Sequence, residues 1–427
     1  MLLQALQYAL RAIKRSPGPA VAVVAMLALG IGATTAIFSI VEGVLLRPLP
    51  FAKPDRLVKI GDMLEGTGAG FSIPSVPAPE IARYTAEMRS LDGAAGYQWQ
   101  SLELSGVGEP AKITAYRVSA GMFPLLGVAP IIGRVFTQKE DEDKEQVAIV
   151  SYGMWRARLN GDPHVVGSKI MLDRTPFVIL GVMPRTFEFP LNAGTANRSE
   201  LWIPISFTHD DLTNGAWRWN FRMIGRLKAG VTPAQAQQDA QRVANEIMKG
   251  FPAFMGHPQI RSVVQRLDED TVAKVKPMLR ALFLAVAVVL LIACANLAGV
   301  LLVRVIQRRR EIAVRLALGA TRRIVILQNL METLTLSAIG GCLGLGLAWL
   351  SMHAGKSLLP ESLPRINEIG MDWRVAAFAL ALAVITGVLC GLAPALAASG
   401  LEVSEGLKEG GRTGTKGTSH ARLRSRI

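Results

Sequence analysis

Four long apolar runs divide the chain, at residues 19–46, 278–303, 324–352 and 375–398. Crossing ~30 Å of hydrocarbon takes a helix of about 20 apolar residues, and each run meets that length. The remaining block, 47–277, alternates polar and apolar positions over much shorter distances and has the size of a large domain. The pattern therefore predicts an α-helical membrane protein with four transmembrane helices and a large soluble domain inserted between helices 1 and 2.

Inside the block, Leu57–Ile60 and Lys112–Val118 read as strands, with a helical stretch Pro79–Ser90 between them. Val147–Val150 reads as a short buried strand. Ser151 is a helix cap before Met154, Trp155 and Leu159, and Asn160–Gly161 is the stop. Ile170–Leu172 and Phe177–Val182 predict a hairpin turning at Asp173, Arg174 and Thr175. Asn220–Leu227 reads as a strand. Thr232 then caps, and Pro233 opens, a long helix to Lys249. Strands and helices intermingle, which predicts a mixed α/β domain whose Trp and Met residues form core.

Charge sets the expected orientation. Arg11, Lys14 and Arg15 precede the first run. Arg304, Arg308, Arg309, Arg310, Arg315, Arg322 and Arg323 lie between the second and third, against Glu311 alone. Lys408, Arg412, Lys416, Arg422, Arg424 and Arg426 follow the fourth, against three glutamates. Basic segments resist translocation. The N-terminus (1–18), the loop 304–323 and the tail 399–427 are thus expected in the cytoplasm, with the block 47–277 and the loop 353–374 outside. Those three inner segments hold +12 of the +14 net charge. The pI near 10 is then a matter of topology and anionic lipid, and nucleic acid is not expected as a partner. The first run is too long for the apolar core of a cleaved signal peptide and reads as a retained anchor.

Candidate chemistry is sparse. Cys294, Cys342 and Cys390 all fall within predicted spans, so the outer domain has no disulfide. The histidines at 164, 209, 257, 353 and 420 are scattered, and neither HExxH, a zinc spacing nor GxSxG occurs. Asp141, Glu142, Asp143 and Glu145 read as a solvated acidic turn. No catalytic residue, metal ligand or cofactor is assigned. The spans lack the array of charges an ion-coupled transporter uses.

Two features invite interpretation. Arg308–Arg323, RRREIAVRLALGATRR, predicts a short amphipathic helix at the inner surface, with Glu311 and Arg315 as an i,i+4 pair, Gly319 ending it and Thr321 capping the next span. By composition it is either an interfacial helix or a docking helix for a cytoplasmic protein. Gly340 and Gly344 form GxxxG in the third span and Gly387 and Gly391 in the fourth, with Ala295 and Gly299 a weaker pair in the second. Such spacing favours close helix approach, within one chain or between two. Asn296 lies in the second span as a potential interhelical hydrogen-bonding group.

Several stretches resemble the MacB/FtsX class of ABC transporter permeases: IGATTAIFSIVEGVLLRPLPF (31–51), FPLLGVAPIIGRVF (123–136), VAIVSYGMWRARLNGDPHVVGSKIMLDRTPFVILGVMP (147–184), LWIPI (201–205) and the loop REIAVRLALGATRR (310–323). The resemblance covers nearly the whole chain. It implies a MacB-like periplasmic core domain, an FtsX-like transmembrane domain, a location in the cell inner membrane and mechanical transmission rather than a channel. It also implies a separate cytoplasmic ABC ATPase, a second permease chain in a homo- or heterodimer, and a periplasmic adaptor. The family's coupling helix corresponds to Arg310, Glu311, Arg315, Gly319, Ala320 and Thr321. Efflux or extraction is favoured, and an FtsX-like transmitter acting on an extracytoplasmic partner is the alternative. GxxxxGK[ST] is absent from this sequence, so a non-catalytic subunit is expected. LKEGGR (407–412) and ARLRSRI (421–427) resemble the linker of tandem permeases, as if the chain were the first half of one.

Overall fold

The computed structural model describes residues 17–65, 74–191, 199–213, 218–250, 259–273, 275–307, 314, 321–355 and 370–399. The chain separates into an α/β unit, Arg47–Lys276, and a helical unit formed by the residues before and after it.

The α/β unit is built on one sheet of ten strands: β1 (Leu57–Glu65), β2 (Leu91–Ser105), β3 (Ala111–Val118), β4 (Ile132–Gly133), β5 (Val147–Val150), β6 (Lys169–Leu172), β7 (Thr175–Val182), β8 (Leu201–Pro204), β9 (Arg222–Leu227) and β10 (Gln259–Arg266). Their order is β10-β1-β9-β2-β3-β8-β5-β7-β4, with β6 pairing to β2 and β7. Only β3–β8 and β5–β7 run parallel. All four residues of β5 are buried, as a central strand with both faces covered requires. The β6–β7 turn is tighter than expected. Thr175 already pairs with Leu172, and Asp173 and Arg174 alone take positive φ, the geometry of a two-residue hairpin.

Helices pack on this sheet where the caps predict them. On α5 (Tyr152–Arg158), Ser151 Oγ accepts from Met154 N at 3.1 Å. On α7 (Pro233–Lys249), Thr232 and Gln235 form a reciprocal capping box. The shorter α2 (Ala78–Glu87), α3 (Met122–Leu126), α4 (Gln138–Glu142), α6 (His209–Leu212) and α8 (Leu267–Val272) complete the unit. The core around α3 is aromatic, with Phe123, Phe136, Phe189 and Trp202 buried, and Trp202 Nε1 donates to the Phe189 carbonyl at 2.8 Å.

The β10 edge is closed in an unusual way. Two glutamines one turn apart on α7 bond its backbone as a neighbouring strand would. Gln237 Oε1 accepts from Val264 N (2.7 Å), and its Nε2 donates to the Ser262 carbonyl. Gln241 Oε1 accepts from Ser262 N (3.0 Å), and its Nε2 donates to the Ile260 carbonyl (2.9 Å). An open edge is a template for unwanted pairing, and these amides occupy it.

The helical unit comprises α1 (Pro17–Val41) with a π-helical turn Glu42–Leu46, α9 (Lys276–Gln307), α10 (Arg322–Gly355) and α11 (Trp373–Ser399). Each holds a stretch long and apolar enough to cross a membrane: 20–45, 276–303, 326–354 and 373–392. The helices overrun the apolar runs by a few residues, because helical hydrogen bonding continues into the polar flanks.

Candidate transmission site

Of the predicted coupling residues, Arg310, Glu311, Arg315, Gly319 and Ala320 lie outside the described residues. Thr321 is exposed, directly before α10, and its carbonyl accepts from Ile324 N at 2.9 Å. Thr321 therefore leads directly into α10.

The four packing glycines lie on contacts within the chain. Gly344 meets Gly32 of α1 so closely that a Cβ on it would stand 2.8 Å from the Ala28 carbonyl oxygen and 3.0 Å from Gly32 N. Gly340 faces Leu27, where a Cβ would approach to 2.7 Å. On α11, Gly387 packs against Leu334 and Ser337 of α10, and Gly391 against Thr333 and Leu330. Ser337 Oγ adds a hydrogen bond to the Ala383 carbonyl at 2.5 Å. So α10 is held backbone-close by α1 on one side and α11 on the other. Gly299, in contrast, has nothing within 4 Å of a Cβ, and Ala295 and Asn296 beside it are exposed. Cys390 is buried and Cys294 partly so, and Cys390 Sγ lies 3.6 Å from the Cys294 carbonyl oxygen.

At its far end, α1 widens into the π-helical turn at Glu42–Leu46, immediately before the chain enters the α/β unit. Such turns are uncommon and concentrate at functional positions. Glu42, whose side chain is 3% exposed, is paired by Arg374 Nη1 at 3.2 Å from the first turn of α11. Asp372 Oδ1 caps that helix, accepting from Arg374 N (3.0 Å) and Val375 N (3.1 Å). Ser39 Oγ donates to the Gly370 carbonyl at 2.9 Å, and Phe38 stacks on Phe378 with centroids 3.9 Å apart. These contacts bind α1 to α11. The sequence reading assigned none of these residues, although a signal was present: Glu42 is the one charged residue in the run 19–46, and an ionisable group there points to a specific partner.

Within the α/β unit, the acidic turn is only partly solvated. Asp141 is buried. Its carboxylate accepts from Ser206 N at 2.6 Å and Ala120 N at 3.3 Å, and burial pushes its pKa up. Backbone donors from two loops satisfy it, an environment that sequence adjacency to other acids does not reveal. Glu140 follows the opposite course: hydrogen bonds from Arg134 hold it down at about 2. Among the described residues, no group of three or more His, Cys, Asp or Glu is placed to hold a metal ion.

Comparison with known proteins aligns residues 20–243 with the MacB-like periplasmic core domain and residues 283–403 with the FtsX-like permease C-terminal region. The macrolide export ATP-binding/permease protein MacB of Salmonella paratyphi A is 27% identical over 296 residues, covering 69% of this chain and 43% of the relative. MacB 2 of Aeromonas hydrophila subsp. hydrophila is 28% identical over 296 residues, covering 68% and 42%. The chain thus spans less than half the length of these curated relatives. Among solved structures, the periplasmic region of MacB from Actinobacillus actinomycetemcomitans aligns at 14% identity and a TM-score of 0.39, covering 56% of this chain and 95% of that one.

Proposed function

The chain belongs to the MacB/FtsX-type family of ABC transporter permeases, and we propose that it is a permease passing ATP-driven motion from a separate cytoplasmic ATPase to its periplasmic α/β domain, for export or extraction of a substrate. In this reading residues 19–46, 278–303, 324–352 and 375–398 span the cell inner membrane. The termini and the loop 304–323 are cytoplasmic, and 47–277 and 353–374 are periplasmic. The chain is non-catalytic and works with the ATPase, a second permease chain and a periplasmic adaptor, embedded in lipid.

The observation that carries the proposal is the backbone contact of Gly344 with Gly32. Arg310, Glu311, Arg315, Gly319, Ala320 and Thr321 form the ATPase docking segment. It continues into α10, and α10 packs on α1 without side chains between the two backbones at that point. A displacement of α10 is therefore passed to α1 with little slack, since close-packed interfaces do not deform continuously. From α1 the chain leads through the Glu42 turn into the α/β unit.

The test is affinity purification of the full chain from mild detergent. An ABC ATPase is expected to accompany the wild type and to be lost in Arg315→Glu and Glu311→Lys, with expression and membrane insertion unchanged. Equal recovery of the ATPase with both variants would remove the docking assignment.

A further inference from the structure

The α/β unit contains a buried polar knot that transmission does not require. Asp62 on β1, Tyr84 on α2 and Ser262 on β10 are fully buried, and Glu80 on α2 is 5% exposed. The Tyr84 hydroxyl donates to the Asp62 carboxylate (2.7 and 2.8 Å), and Ser262 Oγ donates to Asp62 Oδ1 (2.7 Å). The two hydroxyl oxygens are 3.1 Å apart. The Glu80 carboxyl is buried beside that of Asp62, and a hydrogen bond links the two. Through the Tyr84 hydroxyl, the knot ties α2 to the first strand after α1 and the last strand before α9.

The charges around it are unbalanced. Asp62 and Glu80 act on each other, and the cation that acts on Glu80 is Arg83, whose guanidinium is engaged by Glu87 at 3.0 Å. From α7, the groups at this point are the neutral amides of Gln237 and Gln241 on the Ser262 backbone. Two carboxylates so buried cannot both remain ionised. Burial, reinforced by the Asp62 charge, pushes Glu80 up to about 9; burial raises Asp62 to about 6 against the lowering effect of its hydrogen bonds.

We propose that Asp62 and Glu80 form a proton-operated latch that fastens α2 to the β1–β10 pair, holding one shared proton at neutral pH and tightening when a second is taken up in mild acid. At neutral pH Glu80 is the carboxylic acid and Asp62 the carboxylate that Tyr84 and Ser262 solvate. Acid removes the remaining buried charge. Alkali removes the shared proton and leaves two anions facing each other.

The test uses the full chain in detergent and reads amide exchange of α2, residues 78–87, corrected for the intrinsic effect of pH. Wild-type protection should rise by at least about tenfold from pH 8 to pH 5, because each unit by which the folded pKa exceeds the unfolded one is a factor of ten. In Asp62→Asn/Glu80→Gln the same profile should be flat. An unchanged slope in the double variant, or a flat wild type, would overturn the latch. Difference infrared spectra supply a readout that does not depend on that variant. Wild type at pH 7 should show the carbonyl stretch of one buried protonated carboxyl, absent in Glu80→Gln, and its absence from wild type would also overturn the proposal.

Discussion

The two units of this chain solve the problem of buried polar groups in opposite ways. In the helical unit, several of the described hydroxyls bond their own helix: Thr34 to the Gly30 carbonyl (2.8 Å), Thr335 to Met331 (2.7 Å) and Thr386 to Leu382 (2.6 Å). Helix meets helix by shape, glycine against backbone, with polar links such as Ser39 to Gly370, Ser337 to Ala383 and Glu42 to Arg374 among the described residues. In the α/β unit, buried polar side chains reach across elements, as Gln237, Gln241, Asp141 and Asp62 do. Lipid offers no hydrophobic drive between helices and no water for an unpaired group, which favours packing and self-bonding. An aqueous domain can fix its elements with directional bonds. The helical unit should therefore be most sensitive to added volume, and the α/β unit to lost donors and acceptors.

The largest test of that contrast is Gln237→Leu/Gln241→Leu. It leaves four backbone groups of β10 without partners, each worth about 1–3 kcal/mol. A loss of about 4 kcal/mol is expected in denaturant unfolding of the α/β unit, with faster amide exchange at β10. Next is Gly344→Leu, which drives a side chain into the Gly32 backbone and should cost about 1–3 kcal/mol, measured by thermal unfolding in detergent. Gly346→Leu, two residues away with nothing within 4 Å, should be nearly neutral. Equal losses at the two glycines would break the shape argument.

The Glu42–Arg374 pair is smaller. Arg374 is half exposed, so a double-mutant cycle of Glu42→Gln with Arg374→Gln should give a coupling of about 1 kcal/mol. Smallest is Arg134→Gln, which breaks a surface pair with Glu140 and should cost under about 1 kcal/mol. The pH dependences of these carboxyls differ in sign. Asp62 and Glu80 bind protons more tightly when folded. The stability they contribute is fully present below the ordinary carboxylate range and is lost as pH rises through about 6 and then about 9. Glu140 contributes above the ordinary range, and its share is lost as pH falls through about 2.

Much of the fold was legible in the sequence because it rests on local signals. Apolar length located the four long helices, the Ser151 and Thr232 caps located α5 and α7, and the burial of Val147–Val150 follows from an apolar run. β2 left no such trace. Its first half holds Gly93, Gly96 and a register shift between Leu91 and Gly93, and the alternation of its second half changes phase at Ser101, between Tyr97–Trp99 and Leu102–Leu104. The ten-strand order is likewise a matter of distant pairing. Asp141 read as solvated because its partners, Ala120 and Ser206, are remote in sequence. The glycine spacings were visible, but which helix each faces is decided by tertiary packing. Glu42 was conspicuous in its apolar run, whereas its partner Arg374 lies more than three hundred residues away.

In the proposed mechanism, ATP-driven motion enters at the docking segment and reaches the α/β unit through α10 and α1. The most direct measurement is amide exchange of the purified permease–ATPase complex with and without ATP, followed at the Glu42–Leu46 turn and at β1. ATP should change exchange at both places in wild type, and Gly344→Leu should suppress that change while the ATPase remains bound. Exchange that ATP leaves untouched in wild type, with the ATPase bound and hydrolysing, would contradict the account.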